Sequence, residues 1–260
     1  MRITILQTDI VWADPEANIS RADRLISQAP ASDVYVLPEM WSTGFAIEPQ
    51  GIAEEEGGQA LQWMKRKAQH ANAAISGTLA VGLPGEQGYV NRHYFVCPDG
   101  RCYSYDKHHL FTYGHEYRYF TAGNERCVAT FRGVRFLLIT CYDARFPLWM
   151  RYADDYDAII IAANWPSNRQ HAWHILTRAR AIENQCCVIA ANRVGSDPYS
   201  VYTGSSAIID AYGNTLATAT TDDEQTVTAE VDFAAQLRFR EKFPVLRERD
   251  HGLTVERPRS

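Results

Sequence analysis

The sequence predicts an α/β protein, and three observations carry that expectation. Strand-like and helix-like patterns alternate along most of its 260 residues. The longer apolar runs read as buried strands, bounded by turn residues. No internal repeat, low-complexity run or Gly/Ser linker divides the chain, so residues 1–260 are expected to form a single domain. A domain of this length buries about three quarters of its unfolded surface and needs no disulfide or metal staple.

Taken in order, residues 3–10 (ITILQTDI) read as a strand. Asp14 is an N-cap candidate with Pro15 at the first helical position, opening a helix to about Ala29. Ile19, Ala22, Ile26 and Ala29 recur there at helical spacing. Residues 33–40 (DVYVLPEM) read as a second buried strand, 58–72 as a helix with Leu61, Met64, Ala68 and Ala71 on one face, and 73–82 as a third strand. Two strand-like runs around Pro98-Asp99-Gly100 make a hairpin, and 129–140 makes another around Gly133. A short helix near 147–153 and a strand at 157–163 follow. The helix expected at 169–185 places Ala172, Ile175, Leu176, Ala179 and Ile182 on one side. Residues 187–193 read as a strand, 205–220 as a hairpin around Gly213-Asn214, 226–231 as a strand and 232–240 as a last helix. Periodicity alone does not give the number of layers.

Composition narrows the function. With 46% hydrophobic and 22% charged residues the chain is globular, not disordered or fibrous. Acidic residues outnumber basic ones 31 to 26, a formal charge of −5, so no nucleic-acid partner is expected. Asp9 interrupts the first apolar run before a signal-peptide core forms, and the longest apolar stretches, such as 158–165, are far shorter than a membrane span. Neither export nor membrane attachment is therefore expected. The six cysteines show no C-x-x-C pair or disulfide framework, which fits a cytoplasmic protein with free thiols.

The sharpest chemical feature is the run RFLLIT into Cys141-Tyr142-Asp143-Ala144-Arg145-Phe146-Pro147. An apolar strand ending at a cysteine, a turn and a helix start exposes the side chain and aims backbone N–H groups at a ligand. A thiol at a helix N-terminus is expected to have a lowered pKa; the competing reading is a buried cysteine acting as a small hydrophobe. Glu39 lies just past a buried strand, and a carboxylate taken out of water is a usable base for a thiol. Lys107 ends another strand, where a fixed ammonium can hold an oxyanion. Each alone reads as a surface charge.

LPEM around Glu39, YDKHHLF around Lys107 and TCYDARFP around Cys141 resemble, in order and wide spacing, the three catalytic motifs of the nitrilase superfamily of carbon–nitrogen hydrolases. The resemblance extends to about Pro244 through Asn164-Trp165-Pro166, the segment 178–185, Asn192-Arg193-Val194-Gly195 and the segment 240–244; the bacterial omega-amidase group is similar there too. It implies a four-layer αββα sandwich, no cofactor, and a Glu–Lys–Cys site: Glu39 as general base, Lys107 as oxyanion stabiliser and Cys141 as nucleophile forming a thioester. Glu116 matches the family's second glutamate in position and would place Lys107 and the departing ammonia; its alternative is a surface salt bridge. The backbone N–H of Tyr142 completes the expected oxyanion site.

The implied substrate is a small-molecule amide, the terminal amide of a short 2-oxo dicarboxylic acid. A nitrilase, an N-carbamoyl amidase and a non-catalytic interaction module of the same fold are the competing readings. A substrate carboxylate calls for an arginine. Arg145, Arg118 and Arg169 are candidates, although Arg145 reads more simply as an ion-pair partner of Asp143 or of another buried acid that shapes the turn. Phe45, Tyr113 and Trp165 are the aromatic residues expected to close the pocket, a packing role for Trp165 standing beside this. His108, His109 and His115 give no metal-ligand spacing, because adjacent histidines on a strand point opposite ways, and no metal is expected. Cys186-Cys187 reads as core packing, and Glu256–Ser260 as a solvated end. Members of this superfamily pair through helices flanking the nucleophile, which makes a homo-oligomer, a dimer, the expected assembly.

Overall fold

A computed structural model describes residues 1–85 and 88–250, so the tail Glu256–Ser260 lies outside the described residues. In chain order, the first half contains β1 (Arg2–Gln7), α1 (Pro15–Gln28), β2 (Val34–Val36), β3 (Glu54–Glu55), α2 (Gln59–Ala71), β4 (Ala74–Gly82), β5 (Tyr89–Val96) and β6 (Cys102–Asp106). The middle contains β7 (Val128–Phe131), β8 (Val134–Thr140), α3 (Pro147–Met150), β9 (Ala158–Ala163), α4 (Gln170–Glu183) and β10 (Cys187–Asn192). The chain continues through β11 (Val194–Ser196), β12 (Val201–Thr203), β13 (Ala207–Ile209), β14 (Thr215–Thr218), β15 (Gln225–Glu230) and α5 (Phe233–Lys242).

These strands form two sheets. One runs β15-β1-β2-β4-β5-β6, with β3 beside β4; the other runs β14-β13-β10-β9-β8-β7. A separate two-stranded ribbon joins β11 and β12. Alternate residues of the inner strands point to opposite faces, and both faces are buried. Phe136 and Leu138 of β8 enter the core between the sheets, with Ile3, Ile5, Val36 and Phe95 of the other sheet. Leu137 and Ile139 point the other way, toward Trp173 and Ala181 of α4. On the far side, Leu6, Ile75 and Leu79 pack against Leu25 of α1 and Leu61, Trp63 and Met64 of α2. Helix, sheet, sheet, helix is the αββα sandwich that the motif resemblance implied, and burial on both faces explains why the strands read as continuous apolar runs.

Helix α1 starts as expected, with Asp14 accepting from the Ala17 N–H and Pro15 at its first turn. Several boundaries move inward. The first strand ends at Gln7 and the second at Val36, before Pro38, and α3 is one turn long. The short strands β3, β11 and β12 have too few residues to show a period.

The larger correction concerns α4. Ile175 and Ile182 are about half exposed, whereas Trp173, Thr177, Arg180 and Ala181 are buried. Specific polar partners set this face. Trp173 Nε1 donates to the Ser205 carbonyl at 3.0 Å, and Arg180 donates to the Ala144 carbonyl through Nε at 3.0 Å and Nη2 at 2.8 Å. A buried arginine is invisible to apolar counting. Among the described residues, no helix is long and apolar enough to cross a membrane.

Candidate active site

The ends of four strands meet at one edge of the sandwich. Glu39 follows β2, Lys107 follows β6, Cys141 follows β8 and Asn164 follows β9. Strand-end positions in such sheets point side chains beyond the hydrogen-bonded ladder, where they can meet a ligand. Met40 and Cys141 both have φ of 41°, in the left-handed region. A non-glycine residue there costs of the order of 1–3 kcal/mol and persists only where surrounding contacts fix it. For Met40 these include a bond from its N–H to Thr78 Oγ1 at 2.8 Å.

Lys107 is 1% exposed and lies between two carboxylates. Its Nζ donates to Glu39 Oε1 at 2.8 Å and to Glu116 Oε2 and Oε1 at 2.9 and 3.1 Å. Glu116 is fully buried and also accepts from the Phe111 N–H at 2.6 Å, so the surface salt-bridge reading does not hold. Asn91 Nδ2 donates to Glu39 Oε1 at 2.8 Å and to Glu116 Oε1 at 3.2 Å. Glu39 also accepts the Asn164 N–H at Oε2, 3.0 Å.

The electrostatics follow from burial and charge count. Burial disfavours the Lys107 charge, but Glu116 and Glu39 outweigh it and hold the ammonium above the usual lysine range. Glu116 is shifted upward by burial, with Lys107 opposing and Glu39 reinforcing the rise. The Cys141 thiol is pushed well up by burial and then by Glu39, with Lys107 opposing. This corrects the expectation of a lowered thiol pKa. Burial, and then the neighbouring Glu39, thus disfavour a resting thiolate. Cys141 therefore rests as a thiol beside Glu39.

Above this floor lies a pocket whose lining includes Glu39, Lys107 and Cys141. Phe45, Phe111, Tyr142, Trp165 and Tyr202 supply its aromatic walls. Arg145 and Arg169 stand on those walls, Arg145 4.8 Å from the Trp165 ring centre and Arg169 5.1 Å from that of Phe111. Arg145 does not pair with Asp143, whose oxygens are taken by Tyr105, His109 and the Thr140 N–H. Arg118 does not line the pocket, and Tyr113 is 82% exposed and does not close it.

Trp165 Nε1 donates to the Arg169 carbonyl at 2.8 Å, so this wall residue is also fixed by packing. His108 and His109 follow the end of β6 and, contrary to the strand reading, lie edge to face with ring centres 4.5 Å apart. No cluster of histidine, cysteine and carboxylate side chains able to hold a metal occurs among the described residues. Cys186 and Cys187 are fully buried core residues. Sequence reasoning assigned no role to Asn91 or Asn164. A signal for Asn91 exists, since asparagine is depleted in strand interiors and here sits inside β5.

The fold and the carboxylate–ammonium–thiol floor define a hydrolase site of the nitrilase type. The chain belongs to the carbon–nitrogen hydrolase family, whose sequence pattern matches residues 2–239. It is 42% identical to omega-amidase YafV of Escherichia coli (strain K12) over 253 residues, covering 96% of this chain and 97% of that one. It is 37% identical to the 2-oxoglutaramate amidase of Bacillus subtilis (strain 168), covering 94% and 95%. The solved structure of XC1258 from Xanthomonas campestris, a CN-hydrolase superfamily protein with an arsenic adduct in its active site, superposes with a TM-score of 0.92 at 37% identity and 98% coverage of both chains.

Proposed function

We propose that this protein is an omega-amidase: it hydrolyses the terminal amide of a short 2-oxo dicarboxylic acid, such as 2-oxoglutaramate or 2-oxosuccinamate, through a thioester on Cys141. The observation that carries this reading is the Lys107 ammonium between Glu39 and Glu116 beneath a small pocket that holds two arginines. Family membership and the named relatives support it.

In this mechanism Glu39 takes the Cys141 proton as sulfur attacks the amide carbon. Lys107 has three N–H donors; Glu39 and Glu116 engage two directions, leaving one for the oxyanion. The Tyr142 N–H, at the start of the 3₁₀ turn 141–145, has no partner within that turn and is the second donor. The Trp165 N–H is committed to Asn192 Oδ1 and does not contribute. Protonated Glu39 gives its proton to the departing nitrogen, ammonia leaves, and a thioester remains. Water, deprotonated by Glu39, then attacks the thioester; the acid is released and the thiol regains its proton. Glu116 orients Lys107. Arg145 binds the substrate carboxylate, with Trp165 and Tyr142 shaping the wall beside it.

The reading extends further: the chain is one carbon–nitrogen hydrolase domain, acting in the cytoplasm as a homodimer with neither nucleic acid nor membrane as partner and without a cofactor. Exposed Ile175 and Ile182 on α4, with Ile182 packed beside Gly213 next to exposed Tyr212, support self-association on the α4 side. The deciding experiment compares kcat/KM for 2-oxoglutaramate and 2-oxosuccinamate with glutamine, asparagine, uncharged amides, nitriles and an N-carbamoyl amino acid. Preference for the oxo-acid amides, loss of turnover in Cys141→Ala and a mass adduct on the Cys141 peptide are expected. A nitrile or uncharged amide preferred by about tenfold would overturn the substrate assignment.

A further inference from the structure

Asp143 is a fully buried carboxylate two residues beyond Cys141 and takes no part in the chemistry above. It accepts four hydrogen bonds from two segments of chain. Its Oδ1 accepts the His109 N–H at 2.8 Å and His109 Nδ1 at 2.9 Å. Its Oδ2 accepts Tyr105 Oη at 2.7 Å and the Thr140 N–H at 3.2 Å. Because a carboxylate only accepts, Nδ1 of His109 carries a proton. Tyr105 Oη in turn accepts from Trp149 Nε1 at 3.0 Å and from the His108 N–H at 3.1 Å.

Tyr105 and His109 flank Lys107 at equal distances along the chain, while Thr140 and Asp143 flank Cys141. The two segments belong to different sheets: β6 leads to Lys107 and β8 to Cys141. Aromatic stacking reinforces the tie on its outer side. His109 lies flat on Phe146 at 3.7 Å and His108 flat on Trp149 at 3.6 Å. The left-handed backbone at Cys141 is thus fixed from the following residues by a group anchored to the lysine segment.

We infer that Asp143 and His109 are positioning residues, a cross-sheet tie that sets the distance between the Lys107 ammonium and the Cys141 sulfur. The inference rests on the proposed mechanism, because it gives that distance its catalytic meaning. The physical argument is that oxyanion stabilisation requires the donor about 3 Å from where charge develops, and misplacement by about 1 Å can cost 10²-fold in rate. Arg145 lies in the same 3₁₀ turn as Asp143 but rests on the Trp165 ring, so removing only the His109 side-chain donor should disturb substrate binding less than turnover.

The test uses His109→Leu, which removes the Nδ1 donor, and His109→Asn, whose side-chain N–H can occupy a similar place. Asp143→Asn is a third variant: its amide faces donors that have lost an acceptor, so its folding is checked first. For His109→Leu we expect kcat to fall by at least about tenfold with KM within about threefold, and Cys141 alkylation by iodoacetamide to slow. His109→Asn should recover most of kcat, with thermal unfolding of both His109 variants close to that of the parent. Unchanged kcat in His109→Leu overturns the inference. So does a loss that follows thermal stability and is equal in Leu and Asn variants, which marks a merely structural role. The parent enzyme's substrate panel separates the two proposals: if it turns over no amide, the proposed function fails first; if it does, only the tie is at stake.

Discussion

Asn164 and Glu39 hold each other twice across 125 residues of sequence. The Asn164 N–H donates to Glu39 Oε2 at 3.0 Å, and its side-chain amide donates to the Glu39 carbonyl at 2.9 Å. The Glu39 carboxylate is therefore oriented from the opposite sheet. Asn164→Ala leaves the Glu39 carbonyl without this donor and should destabilise the fold by about 1–3 kcal/mol. Because the Glu39 strand end loses an anchor, kcat should fall as well. Denaturant unfolding and steady-state kinetics on the variant check both; unchanged kcat would show that Glu39 needs no such anchor.

Lys107→Ala or Lys107→Met leaves Glu39 and Glu116 buried together without a counter-charge. Such a variant should lose about 3–5 kcal/mol of stability. Turnover should fall by about 10²–10³ from the missing oxyanion donor. Lys107→Met with Glu116→Gln should regain stability in denaturant melts while staying inactive. Stability in the double variant no better than in the single one would refute the charge argument.

Arg145→Leu keeps an apolar surface against Trp165 and removes the guanidinium. KM for 2-oxoglutaramate should rise by about 10–100-fold, the value of a charge-assisted pair, while an uncharged amide is affected little. Arg145→Lys should recover only part, since an ammonium lacks the planar fork. Equal effects on charged and uncharged amides in a kinetic comparison would place the substrate carboxylate elsewhere.

His93 gives the fold an acid limit. It is fully buried, hydrogen-bonded to Ser76 Oγ at 2.9 Å and the Ile139 carbonyl at 3.2 Å, and burial lowers its pKa from 6.5 to about 3. The unfolded chain binds a proton there below pH 6.5 and the folded chain does not, so stability is lost as pH falls from 6.5 toward 3. At pH 5 this amounts to about 2 kcal/mol. Melting curves at pH 7.5 and 5.0 should show a smaller drop for His93→Gln than for the parent; equal drops would assign the acid limb to other groups.

Much of the architecture was legible because fully buried strands leave continuous apolar runs, as at residues 158–163, and because Asp14-Pro15 has a definite capping chemistry. Glu39, Lys107 and Cys141 were legible as strand-end residues in family-like motifs. What was not legible depended on partners distant in sequence. The buried face of α4 follows from Arg180 meeting Ala144, and the roles of Asn91 and Asn164 follow from reaching the same carboxylate from different sheets. The Asp143 pairing offered as an alternative for Arg145 joins neighbours in sequence, the pairs that one-dimensional reading can see; Asp143 is claimed instead by Tyr105 and His109, more than thirty residues earlier.

Under the proposed mechanism, the two-sheet construction of the centre also governs when the chain can first become active. Glu39 and Lys107 belong to the sheet whose edge strand β15 pairs with β1, Arg2 opposite Glu230, whereas Cys141 belongs to the other. Contacts between the two ends of a chain are slow to form, since loop closure must precede any reward. A nascent or refolding chain that has assembled the β8–β9 layer carries the Cys141 thiol with neither Glu39 nor Lys107 beside it. Its chemistry stays silent until the two sheets stack, so recovery of turnover in a refolding experiment times the closing of the sandwich rather than the formation of either layer.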